Sequence, residues 1–282
     1  QGSDDLVEIA RLPSYSEGPV FDHDGNLFVS PPPYISRISP GADPVVWAET
    51  GTPNGHKILA DGTHLVCDRN VLRLSASGET LGNAATDCGG HALRQTNDIM
   101  LDPNGGFYFT DPGEMPAAAE QPIGRVCYVD AEGYSYLVAE GLGFPNGIVL
   151  RPDGSTLLVA ESTRNRVLQF EVSSPGKASA PRVFADLPGK EGASYAEPDG
   201  MALDVAGNLY VAHYGKSAVQ VLAPDGELLR TLPGGNVATS NVAFGGAEMD
   251  DLYMTGGELD YGAESLVYRL HLDGTGGLLI LP

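Results

Sequence analysis

Six oxygen-bearing side chains each stand at the start of a similar apolar segment of the chain. They are two carboxylates and four carboxamides: Glu17, Asn54, Asn97, Asn146, Asp199 and Asn241. Oxygen-only ligand sets suit hard cations such as Ca²⁺ and Mg²⁺. Two negative charges together with neutral amide dipoles would balance one divalent ion. If the fold brings these residues together, their chemistry predicts a single metal site.

The same residue types also have a purely structural use. Asn and Asp at the starts of strands cap turns through local hydrogen bonds, and for any one position this is the simpler explanation. A glutamate is not a preferred turn residue, so Glu17 fits that explanation poorly. The occurrence of such residues at six equivalent places favours the metal interpretation.

Each of these residues opens one copy of a repeated segment. The copies recur at intervals of about 37 to 53 residues, and in each copy two short apolar runs flank a tight turn such as Asp-Gly or Gly-Asn. This is the pattern of a β-hairpin. Further strand-like runs follow, the last pair being LVYRLHL and GLLILP. Four strands per repeat predict one all-β domain over residues 1–282, a six-bladed β-propeller with four-stranded antiparallel blades around a central channel.

A second set of polar residues follows the second strand of the hairpins. That strand returns to the mouth at which the first strand began, and Asp68, Asp111, Glu161 and His213 lie just past its end. For the three acids a structural role in satisfying loop amides is favoured over a role in orienting ligands. A neutral imidazole near a metal-bound substrate can accept or relay a proton, so His213 is a candidate catalytic residue. A hydrogen-bonded channel histidine explains it equally well.

Other residues near the anchors are candidates for substrate contact. His56 follows Asn54 by two residues and is expected to share its side of the strand. Arg94 lies three residues before Asn97 and could hold a substrate hydroxyl or carboxylate, although a surface salt bridge explains it as well. Asn54 and Asn241 are assigned to the same group of substrate-binding candidates.

The overall composition excludes several classes of function. The formal net charge is −21, which opposes binding to a nucleic-acid backbone. No apolar run approaches the roughly 20 residues that span a bilayer. The three cysteines are Cys67, Cys88 and Cys127, an odd number without Cys-x-x-Cys spacing, which argues against disulfides and predicts a reducing, cytoplasmic location. The start at Gln1-Gly2-Ser3 is typical of a cleaved tag, and the earlier removal of a signal peptide is compatible with it.

The segments SEGPVFDHDGNLFV, TNDIMLDPNGGFYFTDP, PNGIVLRPDGSTLLVAES and PDGMALDVAGNLYVAHYG resemble the gluconolactonase and senescence-marker-protein (regucalcin-like) family of six-bladed propellers. The resemblance covers nearly the whole chain. It implies one divalent metal, Ca²⁺ before Mg²⁺, Mn²⁺, Zn²⁺ or Fe²⁺, held by Glu17, Asn146 and Asp199. In fluorophosphatase-type relatives a further asparagine joins the metal, at the place of Asn97. The family's proposed base or nucleophile corresponds to Asp199.

Two features leave the choice of substrate open. The family's Arg-x-Asn motif is one residue longer here, because Arg94 is separated from Asn97 by two residues. A lid glutamate of the family corresponds to Glu114, in the loop from Gly113 to Pro122. Both residues are therefore substrate-binding candidates implied by the resemblance.

These observations together predict a metal-dependent hydrolase that opens a small, sugar-type lactone. The metal would polarise the carbonyl while a water near Asp199 attacks, with His213 as an alternative base. One alternative is a phosphotriesterase or fluorophosphatase that uses the same site. Another is a non-enzymatic propeller binding module with a structural metal. The expected partner is a small lactone or ester, without nucleic acid or membrane, and the chain is expected to be a monomer or homodimer.

Overall fold

Short β-strands form nearly all of the regular structure of this chain. The computed structural model describes residues 5–113, 121–189 and 197–278. Within those ranges the only helical element is one 3₁₀ turn, Ser162–Arg164, and no helix there is long and apolar enough to cross a membrane. Six antiparallel sheets of four main strands are the blades of a six-bladed β-propeller, as the repeat predicted.

The chain divides into two compact units, one of which contains blades one, five and six, within residues 1–53 and 188–279. Its strands are as follows. Blade one has β2 (Glu17–Phe21), β3 (Leu27–Ser30), β4 (Tyr34–Ile38) and β5 (Val45–Glu49). Blade five has β21 (Glu197–Leu203), β22 (Leu209–Tyr214), β23 (Ala218–Leu222) and β24 (Leu228–Pro233). Blade six has β25 (Ala238–Gly245), β26 (Asp251–Gly257), β27 (Ser265–His271) and β1 (Val7–Leu12).

The other unit contains blades two, three and four, within residues 54–187. Blade two has β6 (His56–Ile58), β7 (His64–Cys67), β8 (Val71–Leu74) and β9 (Thr80–Ala85). A small hairpin follows, β10 (Asp87–Cys88) with β11 (His91–Ala92). Blade three has β12 (Ile99–Leu101), β13 (Phe107–Asp111), β14 (Gly124–Val129) and β15 (Ser135–Leu142). Blade four has β16 (Pro145–Leu150), β17 (Thr156–Glu161), β18 (Arg166–Ser174) and β20 (Arg182–Asp186), with the short β19 (Lys177–Ala178) also paired to β18.

The outer strand of blade six differs from the sequence prediction. The segment GLLILP was expected to pair with LVYRLHL, but β1 pairs with β27 instead. Leu278, in the described part of GLLILP, donates its N–H to Leu203 O of blade five at 3.0 Å. The fourth strand of blade six therefore comes from the beginning of the chain, because β1 pairs with β27 near the end of the chain.

Asp residues at the hairpin tips have a structural role. Asp22 Oδ1, for example, accepts the backbone N–H groups of Asp24 and Asn26 at 3.0 and 2.8 Å. Asp61, Asp102, Asp153 and Asp204 bind backbone N–H groups of their own turns in the same way. Such bonds fix tight turns between short strands.

The core consists of apolar side chains packed between neighbouring blades of each unit. In the first unit, Tyr210 of blade five meets Phe244 of blade six with ring centroids 5.0 Å apart. In the second unit, Tyr108 of blade three lies 4.6 Å from Tyr128 of the same blade, within the cluster that includes Phe170 of blade four. Alternate residues of each strand face these layers, as the two-residue period of β-structure requires.

One cysteine pair contradicts the expectation from composition. Cys88 and Cys127 form a disulfide across a sequence separation of 39, and Cys67 is the free, buried cysteine. The expectation of no disulfide was wrong, because the fold brings β10 against the sheet of blade three, which no local spacing shows. The reducing compartment was inferred from that expectation and loses its support, since disulfides are typical of oxidising compartments.

Candidate metal centre and active site

Two buried carboxylates lie in the unit of blades one, five and six. Glu17 opens β2 and is 4% exposed, and Asp199 lies in β21 and is 5% exposed. Burial, followed by the charges of Glu17 and Asp199, raises the pKa of Tyr15 well above its ordinary value. Two like charges buried in one region repel each other, and a cation bound between them would offset that repulsion. The oxygen donors of this unit therefore fit a hard divalent cation.

Three tyrosines surround the Glu17 side of this region. The Tyr15 hydroxyl donates to Glu17 Oε1 at 2.7 Å. The Tyr15 ring lies 4.5 Å from the Tyr261 ring and 6.4 Å from the Tyr214 ring, between centroids. The Tyr214 hydroxyl donates to the Tyr261 hydroxyl at 3.0 Å. Tyr15, Tyr214 and Tyr261 are called the tyrosine cluster below.

Sequence reasoning missed the tyrosine cluster and Glu197. Tyr15 lies before the first repeat copy, and Tyr261 lies in the connection between β26 and β27, so no repeat position indicated either residue. Glu197 opens β21 two residues before Asp199, and burial raises the pKa of its carboxyl group. The one available signal was the closeness of Tyr15 and Glu197 in sequence to an acidic anchor.

His213 lies opposite Pro198 in the pairing of β22 with β21, one position before the last pair, Tyr214 with Glu197. It is fully buried, and its Nδ1 lies 3.2 Å from Gln220 Nε2. The Gln220 amide oxygen accepts the Thr231 hydroxyl at 2.7 Å, so the amide nitrogen faces the imidazole and donates to it. The neutral ring then carries its proton on Nε2.

The anchor position of blade six differs from the sequence alignment. The first strand of blade five carries a bulge that ends at Met201, and that of blade six carries one that ends at Val242. Asp199 lies two residues before the first of these positions, and Ser240 lies two residues before the second. Ser240 is therefore the equivalent of Asp199, and the alignment that gave this place to Asn241 was wrong by one residue.

Asn241 instead lies against a glycine of the preceding blade. A Cβ atom on Gly200 would overlap the Asn241 side chain, and Asn241 Oδ1 accepts the Val242 N–H at 2.9 Å. Asp98 of blade three repeats the arrangement, since its carboxylate accepts the Ile99 N–H at 2.9 Å and a Cβ atom on Gly55 would overlap it. These two polar side chains therefore pack against the blade before them.

The asparagine anchors of the other unit lie at strand starts that backbone bonds join. Gly55 N–H donates to Asn97 O at 2.8 Å, which links blades two and three next to Asn54. Thr110 Oγ1 donates to Asn146 O at 2.9 Å, which links blades three and four. This unit therefore brings the starts of its three inner strands together and supplies three amide side chains.

Arg94 is bound to the segment that follows β13. Its guanidinium NH1 donates to Ile123 O at 2.5 Å. The backbone N–H groups of Arg94 and Gln95 both donate to Asp111 Oδ1 at 3.0 Å. These bonds show how the Arg94 loop is held, and they agree with the structural role expected for Asp111. Glu114 lies outside the described residues.

His56 is buried against another histidine. It is 1% exposed, and its Nε2 lies 2.7 Å from Nδ1 of His64, which is 3% exposed. Burial, followed by the charges of His64 and Lys57, lowers the pKa of His56 well below its ordinary value. His64 is therefore a buried partner of His56.

Glu161 and Asp68 bind loop groups, as the structural interpretation expects. Glu161 is fully buried, accepts the Gly143 N–H at 2.8 Å and pairs with Arg166 Nε at 2.6 Å. Asp68 Oδ1 accepts the Arg69 N–H at 2.6 Å.

A separate acidic group lies at the tip of blade six. Among the described residues, Asp250, Asp251 and His271 are the one set of three His, Cys or acidic side chains with possible ligand atoms within 4.8 Å of one another. His271 Nδ1 contacts Asp251 Oδ1 at 3.0 Å, and Arg269 NH1 lies 3.5 Å from Asp251 Oδ2. Arg269 thus places a positive charge beside Asp251.

Known proteins are similar to this chain in sequence and in fold. The family model for the SMP-30/Gluconolactonase/LRE-like region matches residues 15–258. The chain belongs to this family. Diisopropyl-fluorophosphatase from Loligo vulgaris is 28% identical over 243 residues, which cover 75% of this chain and 76% of that protein. Lactonase drp35 from Staphylococcus epidermidis is 29% identical over 266 residues, which cover 82% of this chain and 78% of that protein.

Solved structures of this family have the same fold. A luciferin-regenerating enzyme matches with a TM-score of 0.83 at 21% identity, over 99% of each chain. A calcium-binding protein, regucalcin, from Agrobacterium tumefaciens matches with a TM-score of 0.77 at 20% identity, over 97% of this chain and 96% of that one. Both confirm the six-bladed propeller that the repeats predicted.

Proposed function

We propose that this chain is a divalent-metal-dependent hydrolase that opens a small lactone of the sugar type. The observation that carries the proposal is the pair of buried carboxylates, Glu17 and Asp199, in one unit of a chain that belongs to the SMP-30/gluconolactonase family. A lactonase and a fluorophosphatase are among its relatives, which supports hydrolysis as the reaction class.

The proposed ligands of the ion are Glu17, Asn97, Asn146 and Asp199. Two are carboxylates and two are carboxamides. Ca²⁺ is the preferred ion, since the donors are all oxygen and a structural relative is a calcium-binding protein. When bound, the ion would supply Lewis-acid polarisation of the substrate carbonyl.

Asp199 is the proposed base that takes the proton of the attacking water. A carboxylate engaged with a cation is a weak base, so Asp199 must be partly released or assisted. His213 is the proposed assistant. Because Gln220 donates to Nδ1, the neutral ring holds its proton on Nε2, which favours proton donation to the leaving alcohol over proton uptake from water.

The remaining substrate contacts are proposals of unequal support. Asn54 lies at a strand start of its unit and remains a candidate for a substrate hydroxyl. The packing of Asn241 on Gly200, the bond of Arg94 to Ile123 and the burial of His56 favour supporting roles for those three side chains. Glu114 rests on the family resemblance alone.

A second candidate reaction is hydrolysis of a phosphotriester or fluorophosphate at the same site. It is favoured by one specific observation, the 28% identity to diisopropyl-fluorophosphatase. A third candidate is a binding module in which the ion has only a structural role.

One experiment separates these functions. The protein is first stripped of metal with a chelator. One ion is then restored to each sample, Ca²⁺, Mg²⁺, Mn²⁺, Zn²⁺ or Fe²⁺, and turnover of a lactone panel is compared with turnover of a fluorophosphate. We expect lactone turnover that disappears with chelation and returns with Ca²⁺. Faster turnover of the fluorophosphate would favour the second candidate. Metal-dependent melting without any turnover would favour the third, and turnover that survives complete chelation would refute metal dependence.

The cellular location and the oligomeric state of the protein are also proposals. A small-molecule substrate and a monomer or homodimer remain the expectation. The cytoplasmic location was inferred from the cysteine count, and the Cys88–Cys127 disulfide favours an oxidising compartment instead.

A further inference from the structure

We propose that Tyr15 is a positioning residue for the Glu17 carboxylate, a role that rests on the metal-dependent function proposed above. The Tyr15 hydroxyl donates to Glu17 Oε1 at 2.7 Å. Both residues are buried, with 8% and 4% of their surfaces exposed. A hydrogen bond to a charged acceptor away from water is short and strong, so this contact holds the carboxylate firmly.

The rest of Tyr15 is fixed without its hydroxyl. Its backbone N–H donates to Tyr261 O at 3.2 Å, and its ring packs against the Tyr261 ring with centroids 4.5 Å apart. The preceding residue, Ser14, accepts a hydrogen bond from Ser265 Oγ at 2.7 Å. Blade six therefore clamps the chain segment that carries Tyr15. A phenylalanine at this position would keep the ring in place and lose only the bond to Glu17.

Glycine at position 257 permits this clamp. A Cβ atom there would lie 3.2 Å from Tyr15 Cα and 3.3 Å from the Tyr15 ring, tighter than ordinary van der Waals contact. The close approach of β26 to Tyr15 is thus built into the packing of the unit. It places the phenol beside the carboxylate that opens β2.

Orientation of Glu17 matters because its carboxyl group rotates easily. The terminal torsion of a glutamate has broad minima, so an unrestrained carboxylate presents its oxygens in many directions. Partners that hydrogen-bond a metal ligand restrict this freedom, and their loss typically costs 10- to 100-fold in metal affinity. Among the described residues, Tyr15 supplies this restraint through the 2.7 Å hydrogen bond from its hydroxyl to Glu17 Oε1.

A simpler explanation is that the buried phenol only needs an acceptor. The two explanations differ in their effect on the metal. If the bond only satisfies Tyr15, its loss changes stability and leaves the affinity for the ion unaltered. If the bond positions Glu17, affinity falls and turnover recovers when enough ion is added.

The test compares Tyr15→Phe with wild type and with Tyr261→Phe as a matched control. Each variant loses one hydroxyl from the tyrosine cluster, but the hydroxyl of Tyr261 contacts Tyr214 instead of Glu17. Calcium binding to the chelator-stripped proteins is measured by calorimetry, and melting temperatures are recorded with chelator and with Ca²⁺. We expect the Kd of Tyr15→Phe for Ca²⁺ to rise about 10- to 100-fold. Lactone turnover should return at saturating Ca²⁺, and Tyr261→Phe should bind Ca²⁺ as wild type does.

The outcomes distinguish this inference from the function on which it rests. Calcium binding by wild type together with an unchanged Kd in Tyr15→Phe would overturn the role of Tyr15 and leave the proposed function intact. An equal loss of affinity in both variants would also overturn it, since the cluster as a whole would then matter and not the bond to Glu17. Absence of binding of any tested divalent ion by wild type would overturn the proposed function itself.

Discussion

Replacement of Gly200 by alanine tests the packing next to the candidate active site. A Cβ atom at this position would overlap the Asn241 side chain, so Asn241 must move. Forcing an extra methyl group into a packed region costs about 1–3 kcal/mol, while the gain from a stiffer unfolded chain is about 0.4–1 kcal/mol. We expect Gly200→Ala to lower the free energy of unfolding by about 1–2 kcal/mol.

A double-mutant cycle combines Gly200→Ala with removal of the Asn241 side chain. Asn241→Ala loses the bond from Val242 N–H to Asn241 Oδ1, which is worth about 0.5–1.5 kcal/mol. The double variant removes the three side-chain atoms that lie nearest to the new methyl group, so the two losses should not add. We expect the double variant to be more stable than the sum of the single effects predicts, by about 1–2 kcal/mol, within the usual range for residues in contact.

Urea unfolding of the four proteins measures this coupling. Gly189→Ala is the matched control, because no heavy atom of the described residues lies within 4 Å of a Cβ atom built there. That control should be neutral or slightly stabilised. Additive losses in the cycle, or equal effects of Gly200→Ala and Gly189→Ala, would refute the contact of Asn241 with blade five and with it the corrected alignment of blade six.

Three other changes have defined outcomes. Asp199→Asn should reduce lactone turnover more than it reduces Ca²⁺ binding measured by calorimetry, because the amide keeps an oxygen ligand but loses charge and basicity. Near-native turnover at saturating Ca²⁺ would contradict the role of Asp199 as base. His213→Gln should lower kcat about 10²- to 10⁴-fold without changing Ca²⁺ affinity or Tm, and native turnover would reduce His213 to a structural residue. Burial lowers the pKa of His56 in the folded protein. Below the ordinary histidine pKa of about 6.5, the unfolded chain therefore binds more protons than the folded protein. Stability should fall as the pH falls through this range, by up to about 1.4 kcal/mol per pH unit for one proton. Replacing His56 by Met and His64 by Leu should flatten urea stability between about pH 6.5 and 5 relative to wild type, with the exposed His23→Gln as control, and an unchanged slope would contradict this assignment.

The repeated hairpins made the blades predictable from sequence. Each hairpin is local, since its two strands and turn lie within one short stretch and its turn residues satisfy their own backbone, as Asp22 does. The outer strand of blade six was not predictable in this way. Its strand, β1, lies at the other end of the chain, and only pairing across the whole repeat array identifies it.

The anchor of blade six shows why residue chemistry alone misplaced one position. Asn241 resembles the other asparagine anchors, whereas Ser240 does not resemble a metal ligand. The residue that distinguishes the two places belongs to another blade, because Gly200 of blade five leaves the space that the Asn241 side chain occupies. A sequence shows that a residue follows an anchor by one position, but it does not show which glycine leaves room for it.

Three histidines, His56, His64 and His213, illustrate the same limit from the opposite side. All three are buried, and each has a nitrogen bonded to a neighbour, His56 to His64 and His213 to Gln220. A nitrogen paired with a neighbour is what allows a histidine to be buried at modest cost, and this holds for His56, His64 and His213 alike. The tyrosines present the reverse case. They attracted no attention in the sequence, yet Tyr15 directly contacts the first acidic anchor. In this fold, proximity to the carboxylates at the strand starts is a better guide to chemistry than the reactivity of the side chain.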